Sequence, residues 1–248
     1  MTALRRQAIL FAFFLSGLHS VLALDTARQI SQYRHSAWRV EDGDFNGTPV
    51  VMTQTLDGYL WIGTGTGLIR FDGVRFVPWT PPAGQQLLDP RIFSLLGARD
   101  GSLWIGTGFS ISHWKNGRLT NYPELSGRIE AMVEDEEGSI WLARTHMPDK
   151  MGPVCRVRNE QLRCFTGDQD IPFPNALQLA THGRDQLWIA GYSELCLWKP
   201  GSGHVYFPNV TGRPEGFALF KAIAAAPDGS TWAAIDGSDR KSVGRERV

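Results

Sequence analysis

The sequence predicts an all-β chain folded as a β-propeller of about five blade repeats, the last one incomplete. Three observations predict it. First, the core Leu60-Trp61-Ile62-Gly63 returns as Leu103-Trp104-Ile105-Gly106, with weaker copies at Ile140-Trp141-Leu142-Ala143, Leu187-Trp188-Ile189-Ala190 and Thr231-Trp232-Ala233-Ala234. Second, these five tryptophans stand 43, 37, 47 and 44 residues apart, the period one four-stranded propeller blade requires. Third, short β-branched and aromatic runs are punctuated by turn dipeptides, and 27 glycines and nine tryptophans suit many short strands stacked on large aromatics.

The first repeat reads element by element. Pro49 to Thr55 is a β-branched strand, and Asp57-Gly58 is expected as a type I′ hairpin turn. Tyr59 to Thr64 is the second strand, turned by Gly65-Thr66-Gly67 into a third, Leu68 to Phe71. Asp72-Gly73 then leads into a fourth, Val74 to Trp79. The second repeat follows with Ile92 to Ala98, Asp100-Gly101, Ser102 to Thr107, Ile111 to Trp114, Asn116-Gly117 and Arg118 to Tyr122. Glu137-Gly138 and Asn159-Glu160 take the turn positions of the third, Arg184-Asp185 and Pro200-Gly201 those of the fourth. The fifth has Asp228-Gly229 between two strands, Lys221 to Ala225 and Ser230 to Ile235, which leaves an open arc; Trp38 to Val40 is a candidate strand for donation to that last blade. Each second strand is apolar almost throughout, as expected for a strand covered on both faces. Alternation places Leu60 and Ile62 on one face and Trp61 on the other. Trp61, Trp104, Trp141, Trp188 and Trp232 therefore read as packing residues between blades and not as binding platforms.

The ends differ from the repeats. Arg5-Arg6, an apolar run from Ala8 to Leu18 and Val21-Leu22-Ala23 form a signal-peptide pattern over residues 1–23, with an uncleaved membrane anchor as the alternative. The propeller repeats occupy 24–238. Residues 239–248 hold four basic and two acidic side chains and no strand pattern; they resemble adapter read-through, or else a disordered polar tail. Net charge is zero, with 25 basic and 25 acidic residues, so no electrostatic footprint for nucleic acid is present.

Chemistry-bearing motifs are few. Gly63-Thr64-Gly65-Thr66-Gly67 lacks the Gly-Lys-Ser/Thr and the helix of a phosphate loop, and reads as a turn. The six histidines (19, 35, 113, 146, 182, 204) show no metal-ligand spacing, and Glu134-Asp135-Glu136-Glu137 reads as a solvated turn, so no metal, cofactor or catalytic residue is assigned. The cysteines are more specific. A two-residue turn at Asn159-Glu160 sets Cys155 opposite Cys164 with Cα atoms roughly 4.5 Å apart, within disulfide reach in an oxidising compartment. Cys196 reads as a buried apolar thiol.

The stretch QTLDGYLWIGTGTGLIRFDGVRF (Gln54 to Phe76), with the lead-in Tyr33-Arg34-His35-Ser36-Ala37-Trp38 and Glu41-Asp42-Gly43, resembles the two-component regulator propeller repeat. The Gly-His and terminal Trp-Asp of WD40 repeats are not part of this pattern. The resemblance implies the periplasmic sensor region of a hybrid two-component sensor histidine kinase, present here as an N-terminal fragment without kinase modules. It further implies a periplasmic or extracellular location, an extracellular ligand associated with carbohydrate, and a membrane-anchored, dimeric parent. Two other classes stay open: a secreted propeller enzyme of lyase or hydrolase type, and a propeller scaffold for protein–protein contacts.

Overall fold

The computed structural model describes residues 29, 31, 36–39, 47–166, 171, 173–183, 186–192, 194–206, 219–226 and 228–236. The expected signal segment (1–23), the tail (239–248), Val40 and the Arg184-Asp185 turn lie outside them. Residues 1–38 and 39–248 form separate compact units, and every described strand belongs to the second.

Five antiparallel sheets follow one another along the chain. The first is β1 (Pro49–Gln54), β2 (Leu60–Thr64), β3 (Gly67–Phe71) and β4 (Phe76–Trp79). The second is β5 (Ile92–Gly97), β6 (Leu103–Thr107), β7 (Ile111–Lys115) and β8 (Arg118–Asn121). The third is β9 (Arg128–Glu134), β10 (Ile140–Thr145), β11 (Val154–Arg158) and β12 (Gln161–Phe165). The fourth is β13 (Gln178–Thr181), β14 (Leu187–Ala190), β15 (Leu195–Lys199) and β16 (Ser202–Tyr206). The fifth has two strands among the described residues, β17 (Leu219–Ala225) and β18 (Thr231–Asp236). The first strand of each sheet packs on the first strand of the next, from β1 through β5, β9 and β13 to β17, and among the described residues the array does not close into a ring. The fold is an all-β, incomplete propeller. Trp38 and Arg39 lie in no strand.

The repeated core sets the packing between sheets. Trp61 shares a cluster with Ile92, Leu95, Leu103 and Ile105 of the next sheet. Trp104 likewise meets Ile129, Met132, Ile140 and Leu142, Trp141 meets Leu187 and Ile189, and Trp188 meets Phe220 and Ile223. Each tryptophan thus points at the following sheet while its Leu and Ile neighbours point at the preceding one. These four tryptophans are 3–6% exposed. Trp232 departs from them at 43%, because no sixth sheet covers its face among the described residues. The glycine after the Trp-Ile pair is a packing requirement: a Cβ on Gly106 would lie 2.1 Å from Ser94 Oγ and 2.8 Å from Ile129 Cβ.

The Asp-Gly hairpins are not type I′ turns. Gly58 has φ 87° while Asp57 does not cross to positive φ, and Thr55 N–H donates to the Tyr59 carbonyl at 3.1 Å. This is a three-residue loop closed by a left-handed glycine, and it recurs from Ala98 to Ser102, Asp135 to Ser139 and Ala226 to Ser230. The aspartate carboxylate accepts the N–H two residues on, from Ser102 to Asp100 (3.0 Å) and from Ser230 to Asp228 (2.9 Å), which favours right-handed backbone at the aspartate. Asn116-Gly117 and Asn159-Glu160 are the type I′ turns, with φ 50° and 79°, and 50° and 63°. The latter pairs Arg158 with Gln161 and Cys155 with Cys164.

Candidate functional site

Strand alternation sends the long connectors to one end of the sheets: 80–91 between β4 and β5, 122–127 between β8 and β9, and 146–153 between β10 and β11. Long loops on a fixed scaffold are where binding groups concentrate. Here they gather two guanidinium–aromatic units. Arg91 donates from Nε and Nη2 to the two oxygens of buried Asp89, both at 3.2 Å, and its guanidinium lies 5.1 Å from the Phe109 ring centre. Arg128 donates to Glu130 at 2.6 and 2.8 Å and lies 4.7 Å from the Phe93 ring centre. Both arginines are aimed by a carboxylate and by an aromatic face, so their geometry is fixed before any ligand arrives. Phe109 is 58% exposed, and Tyr192, in the matching turn of the fourth sheet, 46%.

Glu130 continues the network by accepting from Thr145 Oγ1 at 2.6 Å, and Thr145 Oγ1 lies 3.0 Å from Nδ1 of exposed His146. Arg144, wholly buried, hydrogen-bonds the Ser126 carbonyl and the Asp149 carboxylate. Burial alone would raise the Asp149 carboxyl, but N–H donation from Met151 and Ser126 and the Arg144 charge outweigh it and hold the group below its ordinary value. Beside this loop lies a cavity of about 500 Å³ lined by Met147, Lys150, Pro153, Ile171, Phe173 and Pro174, among others.

A second cleft, about 330 Å³, opens at the opposite end between the second and third sheets. His113 stacks on Trp104 with ring centres 4.2 Å apart, and His113 Nε2 and Tyr122 Oη are buried without a hydrogen-bond partner. Burial draws the His113 imidazole below its ordinary value. Burial, helped by the charges of Glu160 and Glu124, pushes the Tyr122 hydroxyl up to about 12.

The residues singled out in the sequence fall as follows. Trp61, Trp104, Trp141 and Trp188 lie in cores between sheets and reach neither the connector-end arginines nor their aromatic partners. Cys155 and Cys164 face each other with Cα atoms 3.9 Å apart and sulfurs at bonding distance, and Cys196 is buried. Gly65 and Thr66 form the turn between β2 and β3. Among the described residues no cluster of three or more His, Cys, Asp or Glu could hold a metal ion. The connector-end arginines and Arg144 were not legible as a site. The signal at Arg144 was a charge where the repeat has Thr64 and Thr107, at the end of the second strand; Arg91 and Arg128 carried another, standing at the same place in consecutive repeats, 13 residues before Trp104 and Trp141 (104−91, 141−128).

Residues 86–109, which contain the Asp100-Gly101 turn and the Leu103–Thr107 core, match the two-component regulator propeller family. This one segment is similar to the two-component regulator propeller repeat. Solved structures with the same fold include the extracellular domain of a hybrid two-component system from B. thetaiotaomicron, 16% identical with a TM-score of 0.60. That match covers 75% of this chain and 26% of the other. PorZ, a surface component of the type-IX secretion system of Porphyromonas gingivalis, is 13% identical with a TM-score of 0.56, over 76% of this chain and 31% of PorZ. At these identities the likeness is one of fold, and this chain spans about a third or less of either protein. No curated protein matches it by sequence.

Proposed function

We propose that this chain is the extracytoplasmic, ligand-sensing propeller region of a two-component signal-transduction sensor, and that it contributes binding and not chemistry. The observation that carries the reading is the regulator-propeller repeat at 86–109, set on sheets whose long connectors converge on oriented arginines and aromatic rings. The fold shared with an extracellular domain of a hybrid two-component system supports the location and the sensor role. The ligand is carbohydrate-derived: Phe93 and Phe109 offer ring surface for a sugar, and Arg91 and Arg128 offer N–H forks held in place by Asp89 and Glu130. The parent protein is membrane-anchored and dimeric, with its output modules outside this chain.

The test is a thermal-shift and calorimetric screen of the chain against neutral and acidic oligosaccharides. A binder should raise the melting temperature. Phe109→Ala should weaken it by about tenfold, as loss of an aromatic contact does, without lowering the melting temperature of the free protein, and Arg91→Ala should weaken it by a similar factor while also lowering that temperature, because buried Asp89 loses its partner. Unchanged affinity in both variants removes the connector end as the site. Turnover of any oligosaccharide in the panel would replace the sensor reading with that of a propeller enzyme.

A further inference from the structure

The Cys155–Cys164 bridge is asymmetric in a way a simple cross-link does not require. Cys155, on interior strand β11, is fully buried, whereas Cys164, on edge strand β12, is partly exposed. The wholly buried Arg144 places Nη1 3.0 Å from Cys155 Sγ and 3.5 Å from Cys164 Sγ. Its Nη2 serves the Ser126 carbonyl and Asp149, while Nε has no partner. A neutral disulfide sulfur is a weak acceptor and offsets little of the cost of burying a guanidinium. A thiolate at the same point is a strong one.

We propose that Cys155–Cys164 is a thiol–disulfide exchange site for a dithiol reductant, attacked at Cys164 with Cys155 as the leaving group. A reductant thiolate bonds to Sγ of the partly exposed Cys164. The Cys155–Cys164 bond breaks, and its electron pair goes to Cys155 Sγ, which becomes a thiolate against Arg144 Nη1. The reductant's second thiolate then attacks its own sulfur in the mixed disulfide, and Cys164 leaves as a thiolate that takes a proton from water. The reductant departs as its disulfide: two protein sulfurs are reduced and two reductant sulfurs oxidised. Direction follows from access, since only Cys164 meets solvent, and from leaving-group stability, since a stabilised thiolate leaves faster. Stabilising the reduced form also makes this bridge easier to reduce than one without the guanidinium. The proposal does not depend on the sensor reading.

Two measurements on the full 248-residue chain test it. Brief exposure to reduced glutathione, followed by acid quench and peptide mass mapping, should place the mixed disulfide on Cys164; an adduct on Cys155 overturns the assignment. Equilibration in buffers of graded reduced-to-oxidised dithiothreitol should show Arg144→Gln needing about a tenfold higher ratio than the unaltered chain for half-reduction, with Arg144→Lys staying within about threefold. An unchanged ratio in Arg144→Gln likewise overturns it. If Arg144→Gln does not fold, the adduct position in the unaltered chain alone decides.

Discussion

Replacing Trp141 by alanine tests whether each repeat tryptophan is buried by the sheet that follows it. Trp141 is 3% exposed, its ring centre lies 5.7 Å from Phe165 and 5.8 Å from Trp198, and its Nε1 donates to Asp135 Oδ2 at 2.8 Å. An indole buries roughly 200 Å², worth about 5 kcal/mol at 25 cal/mol/Å², and truncation of core aromatics costs about 3–5 kcal/mol. Trp232 holds the same register, opposite Ala224 as Trp141 is opposite Val133, yet it is 43% exposed. Its truncation should cost about 3 kcal/mol, since only part of that area leaves water. Urea unfolding followed by far-UV circular dichroism should therefore put the Trp141→Ala midpoint about 1 M below that of Trp232→Ala, for a slope near 2 kcal/mol/M. If the alanine variant of Trp141 is unfolded at the outset, Trp141→Phe supplies the comparison. Equal losses, or a larger loss at Trp232, would refute the sheet-by-sheet burial.

Gly106→Ala should destabilise by about 1–3 kcal/mol, because the new methyl group meets Ser94 Oγ at 2.1 Å, where that hydroxyl donates to the Ile129 carbonyl; a thermal melt no lower than that of the unaltered chain would contradict it. Asp100 supplies a pH dependence. Burial raises its carboxyl, but hydrogen bonds from Lys115 and Ser102 win and lower it to about 2. A depressed folded-state value stabilises above the unfolded value, near 3.9, and that stabilisation is lost as pH falls from there toward 2. Asp100 is half-exposed, so the effect is screened and small. The stability gap between the unaltered chain and Asp100→Asn should be present at pH 5 and closed by pH 2; a gap independent of pH would be the contrary result.

The blade count and strand order were legible because they rest on local devices: a tryptophan at a fixed period, glycines at turns, and alternation within strands. The Cys155–Cys164 pairing belongs to the same class, since one two-residue turn fixes it. The turn type at Asp57-Gly58 was misjudged because the deciding contact is a carboxylate accepting a backbone N–H, which a dipeptide pattern does not encode. The site was illegible for a different reason. Arg91 and Arg128 recur at the same offset from Trp104 and Trp141, but the pairing of Arg128 with Phe93 crosses sheets and exists because β5 packs on β9, a relation that appears in space and not in sequence spacing. Arg144 was visible as a charge in an apolar strand, but its partners Ser126 and Asp149 come from loops on either side of that strand.

The position opposite the second apolar residue of each core shows how stability is distributed along the array. Leu95, Met132, Leu179 and Ile223 occupy it in sheets two to five and are 4–9% exposed, each against the sheet before it. Met52 occupies it in the first sheet and is 61% exposed. The tryptophan position shows the converse at the other end, where Trp232 is exposed. Among the described residues the fifth sheet thus leaves its tryptophan face open and the first leaves Met52 exposed on its first strand, although Ile62 and Ile69 on the same face are buried, while the second, third and fourth sheets cover both positions. In a repeat array stability is close to a sum of nearest-neighbour interfaces, so the middle sheets are held most firmly. Arg91, Arg128 and Glu130 project from the second and third sheets, and Arg144 and the Cys155–Cys164 bridge belong to the third. The groups that need fixed geometry stand on sheets supported from both sides, which is the arrangement that keeps an oriented guanidinium oriented.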